Sequence, residues 1–244
     1  MTMMARAEIE REDLCLCDWD ETLRKGFMLR EWVPFLIREM NLSAYFGDEF
    51  DRIFDDFLAK RIDYETLVND AATSYASIVA GLSRTDVVRV AEQFASNDAS
   101  IFPFVKHLII HLSEIGAAAV IVSGSPFEVI HVFAKRLGIQ HVFALQADFD
   151  EKNIFTGKVR ENFGNAAEKA GCVARLARAH RIIAAFGDSS ADIPLLRAAE
   201  SRFLVCQSDT RRHEMEEMRR AIEFPITVID PFQFQPSGIA LNAS

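Results

Sequence analysis

Five short apolar runs, residues 14–17, 118–123, 141–145, 182–186 and 203–206, constrain the fold most. Each has strand length and lacks Asp, Glu, Lys and Arg, as strands buried on both faces of a parallel sheet do. Helical patterns lie between several of them, so the chain reads as successive βαβ units. After the second run, Ser125-Pro126 opens a helix with proline at its first position. That helix turns Val129, Ile130, Phe133 and Leu137 inward and ends at Gly138. Residues 155–160, around Thr156-Gly157, suit a hairpin excursion, and Pro231 to Ser244 reads as a loose tail.

The first two runs are separated by about a hundred residues, far more than a plain crossover needs. The intervening periodicity is helical. Phe50, Ile53, Phe54, Phe57 and Leu58 recur at helical spacing, as do Tyr64, Leu67, Val68, Ala71 and Tyr75 behind Asp63, a candidate N-cap. Ser83 and Asp86 open a further pattern through Val87, Val88, Ala91 and Phe94. Four helices over residues 28–98 are therefore expected, with a small core of their own. Their place is over the sheet's C-terminal edge, where open α/β sheets bind ligands and where an insertion can act as a lid.

Composition narrows the partners. Apolar residues make up 50% and charged residues 26% of the chain, ordinary for a globular protein. A net charge of −9 argues against nucleic acid or an anionic membrane as the main partner. No apolar run reaches membrane-spanning length, and residues 1–13 lack the apolar stretch of a signal peptide. Cys15, Cys17, Cys172 and Cys206 form no CxxC pair or metal-ligand spacing. Reduced thiols and a cytoplasmic protein are expected.

The chemistry-bearing residues sit at strand ends. Asp18-Trp19-Asp20 follows the first run directly, which puts two carboxylates at one opening while Trp19 points elsewhere. One aspartate can attack phosphorus and the other can protonate a leaving alkoxide. Two bare carboxylates would repel a phosphate dianion, so such a pair needs a cation. An Asp-rich turn is the plainer reading of this segment. Gly187-Asp188-Ser189-Ser190-Ala191-Asp192 follows the fourth run, offering oxygen ligands for a hard cation, or simply an N-cap at Asp188 and a first-turn acid at Asp192. Ser123-Gly124-Ser125 ends the second run before a helix N-terminus, an anion cradle that is equally compatible with a helix cap at Ser125. Lys169, in a helical run before the fourth strand, reads by itself as a solvated surface lysine. Residues 209–220 read as a solvated helix of mixed charge.

Taken in order, acid pair, hydroxyl, lysine and second acid pair resemble the four motifs of the haloacid dehalogenase superfamily. The match lies at Asp18/Asp20, Ser123, Lys169 and Asp188/Asp192 and spans about residues 13–210. An insertion between the first and second motifs resembles the branch that includes phosphoserine phosphatases, as does the segment Arg61-Ile62-Asp63-Tyr64-Glu65. The resemblance implies an α/β fold: a Rossmann-like parallel sheet flanked by helices, with an inserted small four-helix cap. Residues 13–27 and 99–230 would be the core, 28–98 the cap, and 1–12 and 231–244 tails. It implies Asp18 as a nucleophile that becomes an aspartyl-phosphate and Asp20 as acid, then base. It implies Mg²⁺ held by Asp18, the Asp20 carbonyl, Asp188 and Asp192, the last directly or through water. Ser123 and Lys169, with the Gly124 backbone, would bind the phosphoryl group, and residues 21–27 would form a closing flap.

The expected activity is hydrolysis of a small phosphorylated metabolite. Dehalogenases of this superfamily lack the second acid, so Asp20 points to phosphate esters. Phosphotransfer or mutase chemistry needs the same acid pair and stays open. A non-catalytic phospholigand-binding protein is the third reading, and phosphoserine phosphatase proper is a fourth. Phosphoserine phosphatases hold their substrate's charges with a Glu after the first motif and an Arg in the cap. Aligned without gaps, those positions fall on Phe27 and Ala71, which predicts weak activity on phosphoserine.

Overall fold

A computed structural model describes residues 13–207 and 209–236. Its centre is a seven-stranded sheet: β1 (Asp13–Cys17), β2 (Ala117–Pro126), β3 (His141–Phe149), β4 (Phe155–Glu161), β5 (Ile182–Gly187), β6 (Ser201–Val205) and β7 (Thr227–Ile229). The spatial order is β4-β3-β2-β1-β5-β6-β7. Every pairing is parallel except the β3–β4 hairpin. The chain builds outward from β1 through β2, β3 and β4, then returns to β5 on the other side of β1. The β1/β5 junction is therefore a topological switch point, where a crevice opens at the strands' carboxyl ends.

Side-chain alternation explains why β1 reads as an unbroken apolar run. Leu14 and Leu16 join one core with Val120, Val122, Cys172, Leu176, Leu195 and Leu196. Cys15 and Cys17 face the opposite core with Ala119, Ile121, Val129 and Phe133. The helices packing on these faces include α5 (Pro103–Glu114), α6 (Phe127–Leu137), α7 (Ala166–Leu176) and α8 (Ile193–Ala198). All four cysteines are buried thiols outside any disulfide. Among the described residues no helix is long and apolar enough to cross a membrane.

Between β1 and α5 lie α1 (Met28–Glu39), α2 (Tyr45–Leu58), α3 (Tyr64–Val79) and α4 (Arg84–Asn97). Asp63 caps α3 by accepting from the Thr66 amide at 2.8 Å, as its place before the periodic run predicts. The insertion does not close on a separate core. Phe50, Phe54, Leu67, Tyr75 and Val90 belong to the same buried cluster as Trp19, Phe133 and Cys17. Aromatic contacts carry this continuity: Trp32 to Phe94 at 5.7 Å, Phe94 to Phe133 at 6.3 Å, and Phe133 to Trp19 at 5.5 Å. The helices had to find the sheet because their apolar faces exceed what four short helices bury among themselves.

The two ends of the insertion are bound to each other. The Lys25 amide donates to Ser100 O at 2.9 Å and the Phe102 amide to Leu23 O at 3.0 Å, forming a short ribbon. Inside it the fully buried Arg24 pairs with Glu31 of α1 and with Asp98 just past α4.

Three local expectations need correction. α6 begins at Phe127 with Pro126 as its N-cap, because β2 runs straight through Ser125 to Pro126. Its end is as expected, with Gly138 left-handed at φ 80°. β7 was not anticipated, since three residues are too few for a periodic signal. The segment after Pro231 is not loose up to Pro236. Phe234 packs against Phe203, Phe186 and Phe104 at 5.1–5.9 Å, and the remainder of that tail lies outside the described residues.

Candidate active site

The sheet's switch point gathers the residues that the sequence scatters. Asp18 leaves β1 with its amide bonded to Phe186 O of β5 at 3.0 Å. Trp19, buried against Phe133, points away into the core. Its carbonyl accepts from the amides of Thr22, Leu23 and Arg24, which tightens the turn after the motif. Lys169 rises from α7, 3% exposed, and bridges Asp18 Oδ1 at 2.7 Å and Asp192 Oδ1 at 2.5 Å. It is not the solvated lysine that an isolated helix position suggests.

Asp20 faces a different set of partners. Its Oδ2 accepts from the Ser125 hydroxyl at 2.6 Å and its Oδ1 from the Met28 amide at 2.7 Å, the first residue of α1. Ser125 is thus no helix cap; its hydroxyl is spent on the second aspartate. Ser123, 1% exposed, accepts the Ser125 amide at 3.1 Å, which fixes the strand-end turn. Gly124 has to be glycine, because a Cβ there would come within 2.6 Å of Gly164 Cα.

Asp188 and Asp192 sit on the turn after β5. Asp192 Oδ2 accepts the Asp188 and Ser189 amides and the Ser189 hydroxyl, each at 3.0 Å. The N-cap of this turn is Ser189, in a capping box with Asp192, so Asp188 is free of that duty. Asp188 is held from outside by Arg211 of α9 (Asp209–Ala221), whose Nη1 donates to Oδ2 at 2.9 Å and Nη2 to the backbone carbonyl at 3.2 Å. That contact corrects the reading of residues 209–220 as solvated surface only. Nothing in the local sequence distinguishes Arg211 from its basic neighbours.

Asp18, Asp188 and Asp192 each offer a carboxylate oxygen within 4.8 Å of the others, and all three are buried. The cluster carries more negative charge than Lys169 and Arg211 offset. Burial, then the fields of Asp192, Asp188 and Asp20, hold the Asp18 carboxyl well above its ordinary range against the pull of Lys169. Burial and Asp192 raise Asp188 to about 7 despite Arg211. Burial would push Lys169 down, but Asp18 and Asp192 outweigh it and hold the ammonium above its ordinary value. A buried set of hard oxygen donors with unbalanced negative charge fits a metal cation. Among the four acids, the Asp20 side chain is the one outside this set, being occupied by Ser125 and Met28. Burial raises it to about 6, with both hydrogen bonds opposing, where one carboxyl can both give and take a proton near neutrality.

A mostly parallel sheet with an acid pair after its first strand and a second acid turn at the switch point defines a buried carboxylate site in an α/β fold. The chain belongs to the haloacid dehalogenase-like hydrolase family, whose profile it matches over residues 15–197. No curated protein matches it. Solved structures share the fold. A protein of unknown function from Bordetella pertussis Tohama I is 20% identical, with 91% of this chain and 100% of that one covered and a TM-score of 0.73. A phosphoserine phosphohydrolase-like protein from Francisella tularensis is 17% identical over 88% and 94%, TM-score 0.60. A phosphoserine phosphatase described as a phospho-aspartyl intermediate analogue is 17% identical over 88% and 100%, TM-score 0.56.

Proposed function

We propose that the protein is a Mg²⁺-dependent phosphomonoester hydrolase that acts on a small phosphorylated metabolite through an aspartyl-phosphate at Asp18. One observation carries this reading. The two aspartates of a single motif are held in unlike environments, Asp18 against Lys169 and Asp20 against Ser125 and Met28. Unlike environments suit unlike roles.

In the first step an Asp18 carboxylate oxygen attacks phosphorus, and the bond to the ester oxygen breaks. Asp20 gives its proton to that oxygen, and the alcohol departs. In the second step Asp20 takes a proton from water as the water oxygen attacks phosphorus, the bond to Asp18 breaks and phosphate leaves. Lys169 lowers the repulsion between Asp18 and an incoming dianion, and Ser123 with the Gly124 backbone receives phosphoryl oxygens. Asp18, Asp188, Asp192 and the Asp20 carbonyl would hold Mg²⁺, which supplies charge neutralisation at the phosphoryl group when bound. The likeness to a phosphoserine phosphatase with a phospho-aspartyl analogue supports the covalent route.

Residues 28–98 would serve as the cap, in a cytoplasmic enzyme without nucleic-acid or membrane partners. Phosphoserine itself is a poor fit. Phe27 is an apolar side chain, 48% exposed, and Ala71 is buried inside the helices; neither can pair an amino-acid headgroup. The test is turnover on a panel of phosphomonoesters with Mg²⁺ and with excess chelator. Asp18→Asn is expected to fall to background and Asp20→Asn to slow by about 10²–10⁴-fold. Near-normal turnover by Asp18→Asn, or an unchanged rate in chelator, would defeat the reading.

A further inference from the structure

Each carboxylate of the buried cluster already has a protein donor on a defined oxygen. Asp18 Oδ1 receives Lys169 Nζ at 2.7 Å. Asp192 Oδ2 receives two amides and a hydroxyl, and its Oδ1 receives Lys169 at 2.5 Å. Asp188 Oδ2 receives Arg211 Nη1 at 2.9 Å. The first two acids are thus held by α7 and by the turn that Asp192 itself completes. The third is held by a separate element, the first turn of α9, which the chain reaches only after β6.

Arg211 grips Asp188 at two points. While Nη1 takes the carboxylate, Nη2 donates to the carbonyl oxygen of the same residue at 3.2 Å. The Arg211 side chain is 33% exposed and that of Asp188 9%, so the pair closes the outer side of the cluster. A cation that merely offset charge would need the carboxylate alone. A planar fork shared between side chain and main chain also fixes how the carboxylate is turned relative to the end of β5.

The consequence falls on the other oxygen. With Oδ2 spent on Arg211, Asp188 has Oδ1 left for a cation. Acids that offer single oxygens suit Mg²⁺, which is small and holds to octahedral geometry. Ca²⁺ takes more oxygens and readily uses both of one carboxylate. Removing the positive charge of Arg211 would act alike on any divalent cation, so it cancels when two of them are compared. Releasing Oδ2 does not cancel.

We propose that Arg211 is a positioning residue that sets the cation selectivity of the cluster: by holding Asp188 Oδ2 it limits Asp188 to one ligand oxygen and favours Mg²⁺ over Ca²⁺. The proposal rests on the metal site of the hydrolase reading, but not on its substrate or on turnover.

The experiment titrates the whole chain, stripped of metal, with Mg²⁺ alone and with Ca²⁺ alone in a calorimeter, and reads the ratio of Kd for Ca²⁺ to Kd for Mg²⁺. Arg211→Met should lower that ratio by about tenfold or more, as loss of a group that orients a metal ligand does. Arg211→Lys keeps the charge but lacks the rigid fork, and should lower it by less. Arg219→Met removes a charge from the same helix at a residue paired with Glu216, and should leave the ratio in place. A ratio unchanged or raised in Arg211→Met overturns the proposal; should that variant fail to fold, the same result in Arg211→Lys does so. An equal fall in Arg219→Met overturns it as well. Wild type that binds neither cation removes the metal site and this proposal together. Wild type that binds Mg²⁺ with a ratio indifferent to Arg211 overturns the selectivity role alone and leaves the hydrolase reading standing.

Discussion

Asp20 is balanced between burial, which favours its neutral form, and two hydrogen bonds that favour its charged form. Deleting one of them has a signed consequence. Ser125→Ala should raise the Asp20 pKa above about 6 and move the limb of the pH–rate profile that reports it to higher pH, by about one unit. A limb that stays in place would take Ser125 out of the acid's control. The sequence made Asp18, Asp20, Ser123, Lys169, Asp188 and Asp192 legible as candidates because residue type and position at strand ends coincide. What it could not disclose was pairing across the chain. Lys169 reaches Asp18 across 151 residues, and Arg211 reaches Asp188 from a helix that otherwise reads as surface. Ser125 was visible but had an adequate local explanation as a cap, and only the fold shows that its hydroxyl goes elsewhere.

At the scale of elements, α3 docks on the loop before α7 through the absence of side chains at Gly164 and Gly124. Gly164→Ala would drive a methyl into Val68, a branched side chain with few rotamers to escape into. The expected result is a weaker dock between α3 and that loop, read as a loss of about 1–3 kcal/mol of stability and a lower kcat/KM. Adding Val68→Ala should recover part of both, and a double mutant no better than Gly164→Ala would place the strain elsewhere. The helices of the insertion were legible from their 3.6-residue period, and the principal strands from their apolar runs. The merging of the two cores was not, because periodicity identifies an apolar face without naming what covers it. Trp32, Phe94 and Phe133 show the answer, a line of rings leading from the insertion into the sheet's own core.

For the whole molecule, the acid cluster links stability to pH. In the metal-free protein Asp20 and Asp188 have folded-state values of about 6 and about 7, above the ordinary 3.8. Their contribution is therefore fully present below pH 3.8 and is lost as pH rises through about 6 and about 7. The proposed Mg²⁺ site requires a deprotonated Asp188, so stabilisation by the metal should grow as pH rises through about 7. Thermal unfolding in chelator and in Mg²⁺ from acid to neutral pH measures both trends, and a metal-induced gain that ignores pH would contradict the linkage. A last consequence follows from the ribbon that joins the two ends of the insertion. Directly beyond it, the first amide of α1 is also a ligand of Asp20. Any excursion that draws α1 away removes that hydrogen bond, and Asp20, the proposed proton donor, would lose its orientation at the same moment. In the proposed hydrolase, synchrony between enclosure and proton transfer would thus be a property of backbone connectivity, and water entering an open cleft would meet an acid that is out of step.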